Sequence, residues 1–269
     1  MSTLSRPTRL VIALMVWGGA MVMLYAPMAT WFMQLEQDRA NDELAGTMRS
    51  LVPAERTRML ERAREYNEAL LYGVGMEEYD DGSLLTVGET DVMARLRIPS
   101  IALDQPIRHG MSEEVLSRAL GHVEGTSLPV GGPSTNAVIG GHRGLATATA
   151  FTHLDDVAVG NEVIVEVAGE VLTYEAVSYA VLPPEDAEHQ PVQQGRDLLT
   201  LITCTPLGVN TERIVVVAER VETASGAVAG EPSRALGFPW WAVAAGVVTV
   251  GAVVSVARRT RREPAHRSG

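Results

Sequence analysis

Three residues have the types and spacing for nucleophilic catalysis by a thiol. Cys204 is the only cysteine of the 269-residue chain, and it ends the apolar run LLTLITC. Arg213 begins the next apolar run, RIVVVAERV, after a loop of eight residues. If the two runs are antiparallel strands, Cys204 and Arg213 lie opposite each other, where a guanidinium can stabilise the oxyanion formed when a thiolate attacks a carbonyl. From these residues alone, an inert buried cysteine and an arginine that only caps a strand remain open.

The proton-transfer partner that a cysteine nucleophile needs is a histidine at the end of another apolar run. His142 ends NAVIGGH, and the small glycines around it leave an imidazole accessible. Spacing alone favours a structural role for any one of four histidines, which are His109, His122, His142 and His153. The sequence has no C-x-x-C, H-E-x-x-H, P-loop or G-x-G-x-x-G motif, so we predict no metal and no cofactor.

Two long uncharged segments predict membrane-spanning helices. Residues 10–33 contain no charged residue and would extend about 36 Å as a helix, which is enough to cross a bilayer. Residues 235–257 form a second uncharged run. Arg6 and Arg9 precede the first run, and a cluster of four arginines at 258, 259, 261 and 262 follows the second. Both termini are therefore expected in the cytoplasm and the region between them outside the cell.

The chain divides accordingly. In order, the expected segments are a cytoplasmic N-terminus (1–9), a transmembrane helix (10–33), a helical extension and loop (34–91), a β domain (92–222), a linker (223–234), a transmembrane helix (235–257) and a cytoplasmic tail (258–269). The net charge is −11, and the acidic residues concentrate between the two spans. This charge argues against a nucleic-acid partner.

The β domain is predicted from short β-branched runs separated by turn residues. The expected strands are Arg95–Ile101, Ala137–Gly140, Glu162–Val167, Val171–Ala180, Leu198–Cys204 and Arg213–Val221. Expected helices are Pro53–Leu71, a short one from Ser112 to Leu120, and one over Ala146–Leu154. Many short strands with few long helices indicate a closed barrel or a sandwich.

Four segments resemble the sortases, and among them the class C, pilin-polymerising group. They are TLITCTPLGVNTERIVVVAER (200–220), SLPVGGPSTNAVIGGHRGLATATAFTHLDDVAVGNEV (127–163), RIPSIALDQPIRHG (97–110) and GHVEGTSLP (121–129). The resemblance covers most of residues 66–221, and the two-span topology also fits class C. It implies a mainly β fold, a sortase-type eight-stranded barrel with peripheral helices, here flanked by two transmembrane helices.

The resemblance also implies an activity and a site. The family's catalytic cysteine, histidine and arginine fall on Cys204, His142 and Arg213, and Thr203 is expected to line the substrate site. The implied enzyme is a cysteine transpeptidase in the membrane of a Gram-positive-type bacterium, with its catalytic domain extracellular. It would cleave an LPXTG-like signal between Thr and Gly and transfer the acyl group to an amine, which in class C is a lysine of a pilin.

The sequence departs from class C in two respects. The Asp-Pro-aromatic motif of the class C lid is absent between Tyr66 and Met93, and YDDGSLL (79–85) resembles the sequence that normally follows the lid. Leu207 and Glu212 stand where the signature usually has Tyr and His. Two alternatives remain open: a sortase that anchors proteins to a cell-wall precursor, and a non-catalytic envelope scaffold with an inert Cys204.

Overall fold

The computed structural model describes residues 6–75, 79, 83–86, 91–144, 150–188, 190–222 and 237–257. By its internal contacts the chain separates into two compact units. One unit comprises Met33–Ala235, and the other comprises Met1–Phe32 with Leu236–Gly269. The predicted linker and cytoplasmic tail fall almost entirely outside the described residues.

The larger unit is built on a closed eight-stranded barrel, which confirms the predicted fold. The strands are β1 (Val92–Ile98), β2 (Leu103–His109), β3 (Leu120–His122), β4 (Thr135–Gly140), β5 (Glu162–Val167), β6 (Glu170–Leu182), β7 (Asp197–Thr205) and β8 (Glu212–Arg220). Their order around the barrel is β1-β2-β3-β4-β7-β8-β6-β5. The α-helices of the chain are α1 (Arg6–Ser50), α2 (Pro53–Tyr72), α3 (Glu113–Leu116), α4 (Pro184–Glu188) and α5 (Trp240–Ala257). Two 3₁₀ turns cover Pro99–Ile101 and Leu154–Asp156.

The central pairings follow from the chain's turns and apolar runs. The β5–β6 hairpin turns at Ala168 and Gly169, and both residues have the positive φ that a tight turn requires. The strands β7 and β8 are antiparallel neighbours. On the other side of β7 lies β4, which runs parallel to it. This β4–β7–β8 arrangement positions the candidate site.

The segments before β1 pack against the barrel. Helix α2 begins with Pro53 at its first turn and ends at Gly73, whose φ of 64° closes the helix in the left-handed region. Its buried Asn67 binds the backbone of Leu128 in both directions: Leu128 N–H donates to Oδ1 at 2.7 Å, and Nδ2 donates to the Leu128 carbonyl at 3.0 Å. This amide pairing fixes the segment between β3 and β4. Leu84 and Leu85, from the run thought to follow an absent lid, are buried in the core.

Three predicted boundaries need correction. The first strand begins at Val92 and ends at Ile98, because Pro99 cannot continue the ladder and starts a 3₁₀ turn. The helix capped by Ser112 ends at Leu116 rather than Leu120, since residues 120–122 pair with β2 as β3. The predicted helix over 146–154 lies partly outside the described residues, and its described part forms turns.

The smaller unit contains the two apolar helical segments. One helix is long and apolar enough to cross a membrane by length and composition, and α5 is a shorter apolar helix. Within this unit, the Trp17 indole donates to Thr249 Oγ1 at 3.1 Å, and the Trp31 indole donates to the Gly237 carbonyl at 3.0 Å. The Trp31 ring also packs edge-on against Trp241. The N-terminal and C-terminal apolar helices therefore contact each other along their length.

Candidate active site

The paired ends of β7 and β8 bring Cys204 and Arg213 together. The two residues are direct cross-strand partners in the antiparallel ladder. Such partners have Cβ atoms about 5 Å apart on the same face of the sheet. Cys204 is partly exposed, as is Arg213, whereas Ile214 beside Arg213 is buried on the opposite face. The thiol and the guanidinium therefore share a solvent-accessible face at the end of the strand pair.

His142 reaches the same strand end from β4. The parallel β4–β7 register pairs Gly140 with Ile202, and the Gly141 N–H donates to the Ile202 carbonyl at 3.2 Å. His142 is two residues beyond Gly140, and Cys204 is two residues beyond Ile202. Because neighbouring strands lie about 4.8 Å apart, this register runs the backbone that carries His142 alongside the end of β7 that carries Cys204. The three residues predicted from the sequence thus lie on adjacent chain segments at one end of the barrel, and direct contact between the imidazole and the thiol stays a prediction.

Thr203 has a different environment from Cys204. Its side chain is buried, and its hydroxyl donates to the Gly141 carbonyl at 2.7 Å. Adjacent residues in a strand point to opposite faces, so Thr203 faces the barrel interior. The hydroxyl ties the end of β7 to the backbone that precedes His142. Contact of Thr203 with a substrate stays a prediction, and the observed geometry favours a supporting position.

The Arg213 guanidinium is held by the turn between β7 and β8. Its Nη1 donates to the carbonyls of Asn210 and Glu212, each at 3.0 Å. Asn210 adopts a φ of 62°, a left-handed conformation that asparagine tolerates better than most residues. Both contacts use a single nitrogen of the guanidinium, which carries five N–H donors in all.

Sequence reasoning did not identify Glu113 as part of the site. Its Oε2 lies 3.2 Å from His142 Nε2. Glu113 is the first residue of the four-residue helix α3, far from His142 in the sequence. Only the pairing of β3 with β2 and β4 brings this helix to the end of β4. A pattern confined to β4, β7 and β8 contains no signal for it.

Arg143 is a second residue that the sequence analysis missed. Its Nη1 donates to Thr205 Oγ1 at 2.8 Å, its Nη2 donates to the Asp155 carboxylate, and its side chain is only 14% exposed. Arg143 follows His142, and Thr205 follows Cys204. The guanidinium therefore connects the two segments that carry the thiol and the imidazole. The sequence signal is its position directly after the candidate histidine.

Replacing Arg143 with alanine should destabilise this edge of the barrel. Charged hydrogen bonds contribute about 1.5–3 kcal/mol each, so we expect a loss of about 2 kcal/mol in the free energy of unfolding. Denaturant unfolding of the full chain checks this, with Arg62→Ala on the exposed face of α2 as the matched control. Equal unfolding free energies for the two variants would contradict the connecting role of Arg143.

The turn after Cys204 lies against the loop that follows His142. Gly144 has a φ of 76°, and a Cβ built on it would come within 2.0 Å of Leu207 Cδ1. A side chain at position 144 would displace the tip of Leu207, and the positive φ also favours glycine there. Leu207 remains 58% exposed, so it presents an apolar surface at the rim of the site.

The other histidines of the β domain that the structure describes have different environments. His122 is fully buried, with its Nε2 3.0 Å from the Ser127 carbonyl oxygen, and it packs edge-on against His109. His153 is exposed, and its Nδ1 lies 3.3 Å from an Asp156 carboxylate oxygen. Among the residues that the structure describes, no group of three or more His, Cys, Asp or Glu could hold a metal ion.

Comparison with known proteins identifies the family. The sortase domain family matches residues 96–221. The crystal structure of sortase C1 from Streptococcus agalactiae superposes with a TM-score of 0.65 at 34% identity, covering 69% of this chain and 99% of that one. The chain belongs to the sortase family.

Two further relatives place this sortase within the family. Sortase C1 of GBS Pilus Island 1 is 35% identical with a TM-score of 0.66, covering 73% of this chain and 97% of that one. The structural matches support class C. "Sortase A" of Streptococcus agalactiae serotype III (strain NEM316) is 29% identical over 143 residues, or 52% of this chain. The match spans 57% of the length of that curated relative.

Proposed function

We propose that this sortase is a membrane-anchored cysteine transpeptidase that cleaves an LPXTG-like sorting signal between Thr and Gly. The observation that carries the proposal is the direct cross-strand pairing of Cys204 with Arg213, beside the strand end that carries His142. A thiol, an imidazole and a guanidinium are the groups that acyl transfer through a thioester requires.

The reaction proceeds in two acyl transfers. The Cys204 thiolate attacks the threonine carbonyl carbon, and the carbonyl oxygen becomes an oxyanion that Arg213 stabilises. The C–N bond to glycine then breaks, and His142 as imidazolium gives its proton to the departing amine. The product is a thioester between Cys204 and the threonine acyl group.

An incoming primary amine resolves the thioester. His142, now neutral, accepts a proton from the amine as its nitrogen attacks the acyl carbon. The C–S bond breaks, an amide forms and the thiolate of Cys204 is restored. The reaction needs no oxidant and no cofactor, because every proton released in the first transfer is returned in the second.

The proposed acceptor is a lysine side chain of a pilin subunit. This proposal draws on the similarity to the sortase of GBS Pilus Island 1. An alternative acceptor is a cell-wall precursor amine. Deleting the gene separates the two: loss of covalent pilin ladders supports the pilin lysine, and intact ladders with unanchored surface proteins support the wall precursor.

The anchor that we propose is the uncharged N-terminal part of α1, joined by α5. Supporting it are the length and apolar composition of α1 and the contacts between the two helices. With Arg6, Arg9 and the arginines after residue 257 in the cytoplasm, the barrel at 92–222 would be extracellular. In the sequence, the barrel lies between the helical extension (34–91) and the linker (223–234). Cysteine scanning with a membrane-impermeant thiol reagent tests this: sites at 1–9 and 258–269 should label only after lysis.

A peptide-cleavage assay tests the activity itself. The full chain in detergent micelles should cleave a fluorogenic LPXTG peptide and, with an added primary amine, release the amide in place of the acid. Mass spectrometry should capture an acyl adduct on Cys204. An active preparation that forms no adduct on the thiol would rule out the thioester mechanism.

A further inference from the structure

The helix that faces His142 packs against β3 beside the end of β4. Ser112 caps α3 by accepting a hydrogen bond from the Val115 N–H at 3.3 Å, and Leu116 is buried. Before the cap, Met111 lies over Gly140: a Cβ on that glycine would come within 2.2 Å of the Met111 methyl carbon. The space above Gly140 thus accommodates the Met111 side chain, directly before the cap of α3.

This anchoring places the Glu113 carboxylate at His142 Nε2, at a distance of 3.2 Å. The Glu113 side chain is 79% exposed and that of His142 is 26% exposed. Ion pairs this exposed contribute little to stability, about 0–1 kcal/mol. The value of the contact therefore lies in the orientation of the imidazole.

A hydrogen-bond acceptor at Nε2 determines which ring nitrogen of a histidine is left to exchange a proton. In the neutral ring only one nitrogen carries a proton, and a carboxylate at Nε2 favours the tautomer with Nε2–H. The Nδ1 lone pair is then the one left to exchange a proton with the reacting groups. In cysteine and serine nucleophile sites generally, a third group orients the base in this manner.

We propose that Glu113 is the positioning residue of His142. It fixes the orientation and tautomer of the imidazole ring, so that Nδ1 is the nitrogen that gives and accepts the proton in the thioester reaction. The proposal rests on the proposed function, because it assigns His142 the proton transfer. It adds a group that the three strand-end residues do not include. It also assigns a role to the first residue of α3.

The kinetic test compares Glu113→Ala, Glu113→Gln and the neighbouring exposed Glu114→Ala in the full chain, with the fluorogenic peptide as substrate. A misplacement of about 1 Å in a catalytic group can cost about 10²-fold, so we expect kcat of E113A to fall roughly ten- to a hundredfold with KM unchanged. E113Q retains an acceptor oxygen at the same position and should recover most of kcat. E114A removes the same charge from the next residue and should match the wild type.

Three kinetic results would overturn the proposal. E113A could keep the wild-type kcat, or E113A and E114A could fall equally, which would indicate a general effect of negative charge. A rise in KM alone would make Glu113 a substrate contact. Unfolding free energies measured beside the rates confirm that each variant folds.

A second readout does not depend on activity. In ¹⁵N-histidine-labelled protein, the His142 ring signals, assigned with His142→Ala, report its tautomer once the ring is neutral. We expect the Nε2–H form in the wild type and E113Q, and a mixture in E113A. An unchanged tautomer in E113A would refute the positioning role even in an active enzyme. A change in an enzyme that cleaves no peptide would leave the contact established and refute the proposed function instead.

Discussion

Replacing Cys204 with alanine should abolish both cleavage and transfer of the sorting peptide. The chain has no other cysteine that could take over the attack. Removing a catalytic nucleophile costs on the order of 10⁶ in kcat in well-studied hydrolases, so the residual rate should fall below detection. Because Cys204 is already partly exposed, the truncation leaves no large cavity, and the variant should keep its fold.

The matched measurements use a conservative neighbour and a thiol reagent. Ile202→Val lies two residues earlier on the same face of β7 and should keep the wild-type kcat within a few-fold. A methanethiosulfonate should add one adduct to the wild type, none to Cys204→Ala, and should inactivate in proportion to labelling. A fully labelled protein that still transfers the peptide would exclude the thioester mechanism, and slow labelling would favour the inert scaffold.

The Cys204–Arg213 pairing was predictable because it is local. Two apolar runs joined by a short loop form an antiparallel pair, and the loop length sets which residues face each other. The structure has this register. The same period-two alternation would also have indicated that Thr203 and Cys204 point to opposite faces.

The position of His142 was not predictable from its spacing. It depends on the parallel β4–β7 pairing, which joins strands more than 50 residues apart in the chain. The resemblance to sortases selected His142 from four histidines, and the β-strand pattern alone did not. The contacts of Glu113 and Arg143 are harder still to predict from the sequence, because they depend on where the tips of long polar side chains lie in the folded chain.

Local sequence patterns also predicted the wrong structure where pairing with another strand determined it. The run from Ser117 to Leu120 has residues compatible with a helix, yet Leu120 pairs with Ile107 as the start of β3. Strand β2 was not predicted, because the polar residues Asp104 and Gln105 interrupt the apolar pattern that is expected of a strand. Asp104 accepts hydrogen bonds from Arg95 at 2.7 and 2.6 Å, and Gln105 donates to Gln37 at 2.8 Å. In a sequence, consecutive polar residues such as these are typical of a loop. Here their partners allow them to lie within the barrel wall.

Replacing Arg213 with alanine should lower kcat by two to three orders of magnitude. Loss of one oxyanion donor raises the barrier by about 2.7–4 kcal/mol, which corresponds to roughly 10²–10³ in rate. The present contacts of the guanidinium, to the carbonyls of Asn210 and Glu212, are on the exposed turn. Their loss should leave the free energy of unfolding nearly unchanged.

Two further variants define what Arg213 does. Arg213→Lys keeps the charge but lacks the planar fork, so it should recover only part of kcat. Arg220→Ala removes an arginine from the far end of the same strand and should leave kcat unchanged. If Arg213→Ala raises KM while kcat stays constant, the guanidinium orients the bound signal and the oxyanion must be stabilised by other donors. If both constants match the wild type, Arg213 only closes the turn between β7 and β8, because a group that stabilises the transition state must change kcat when it is removed.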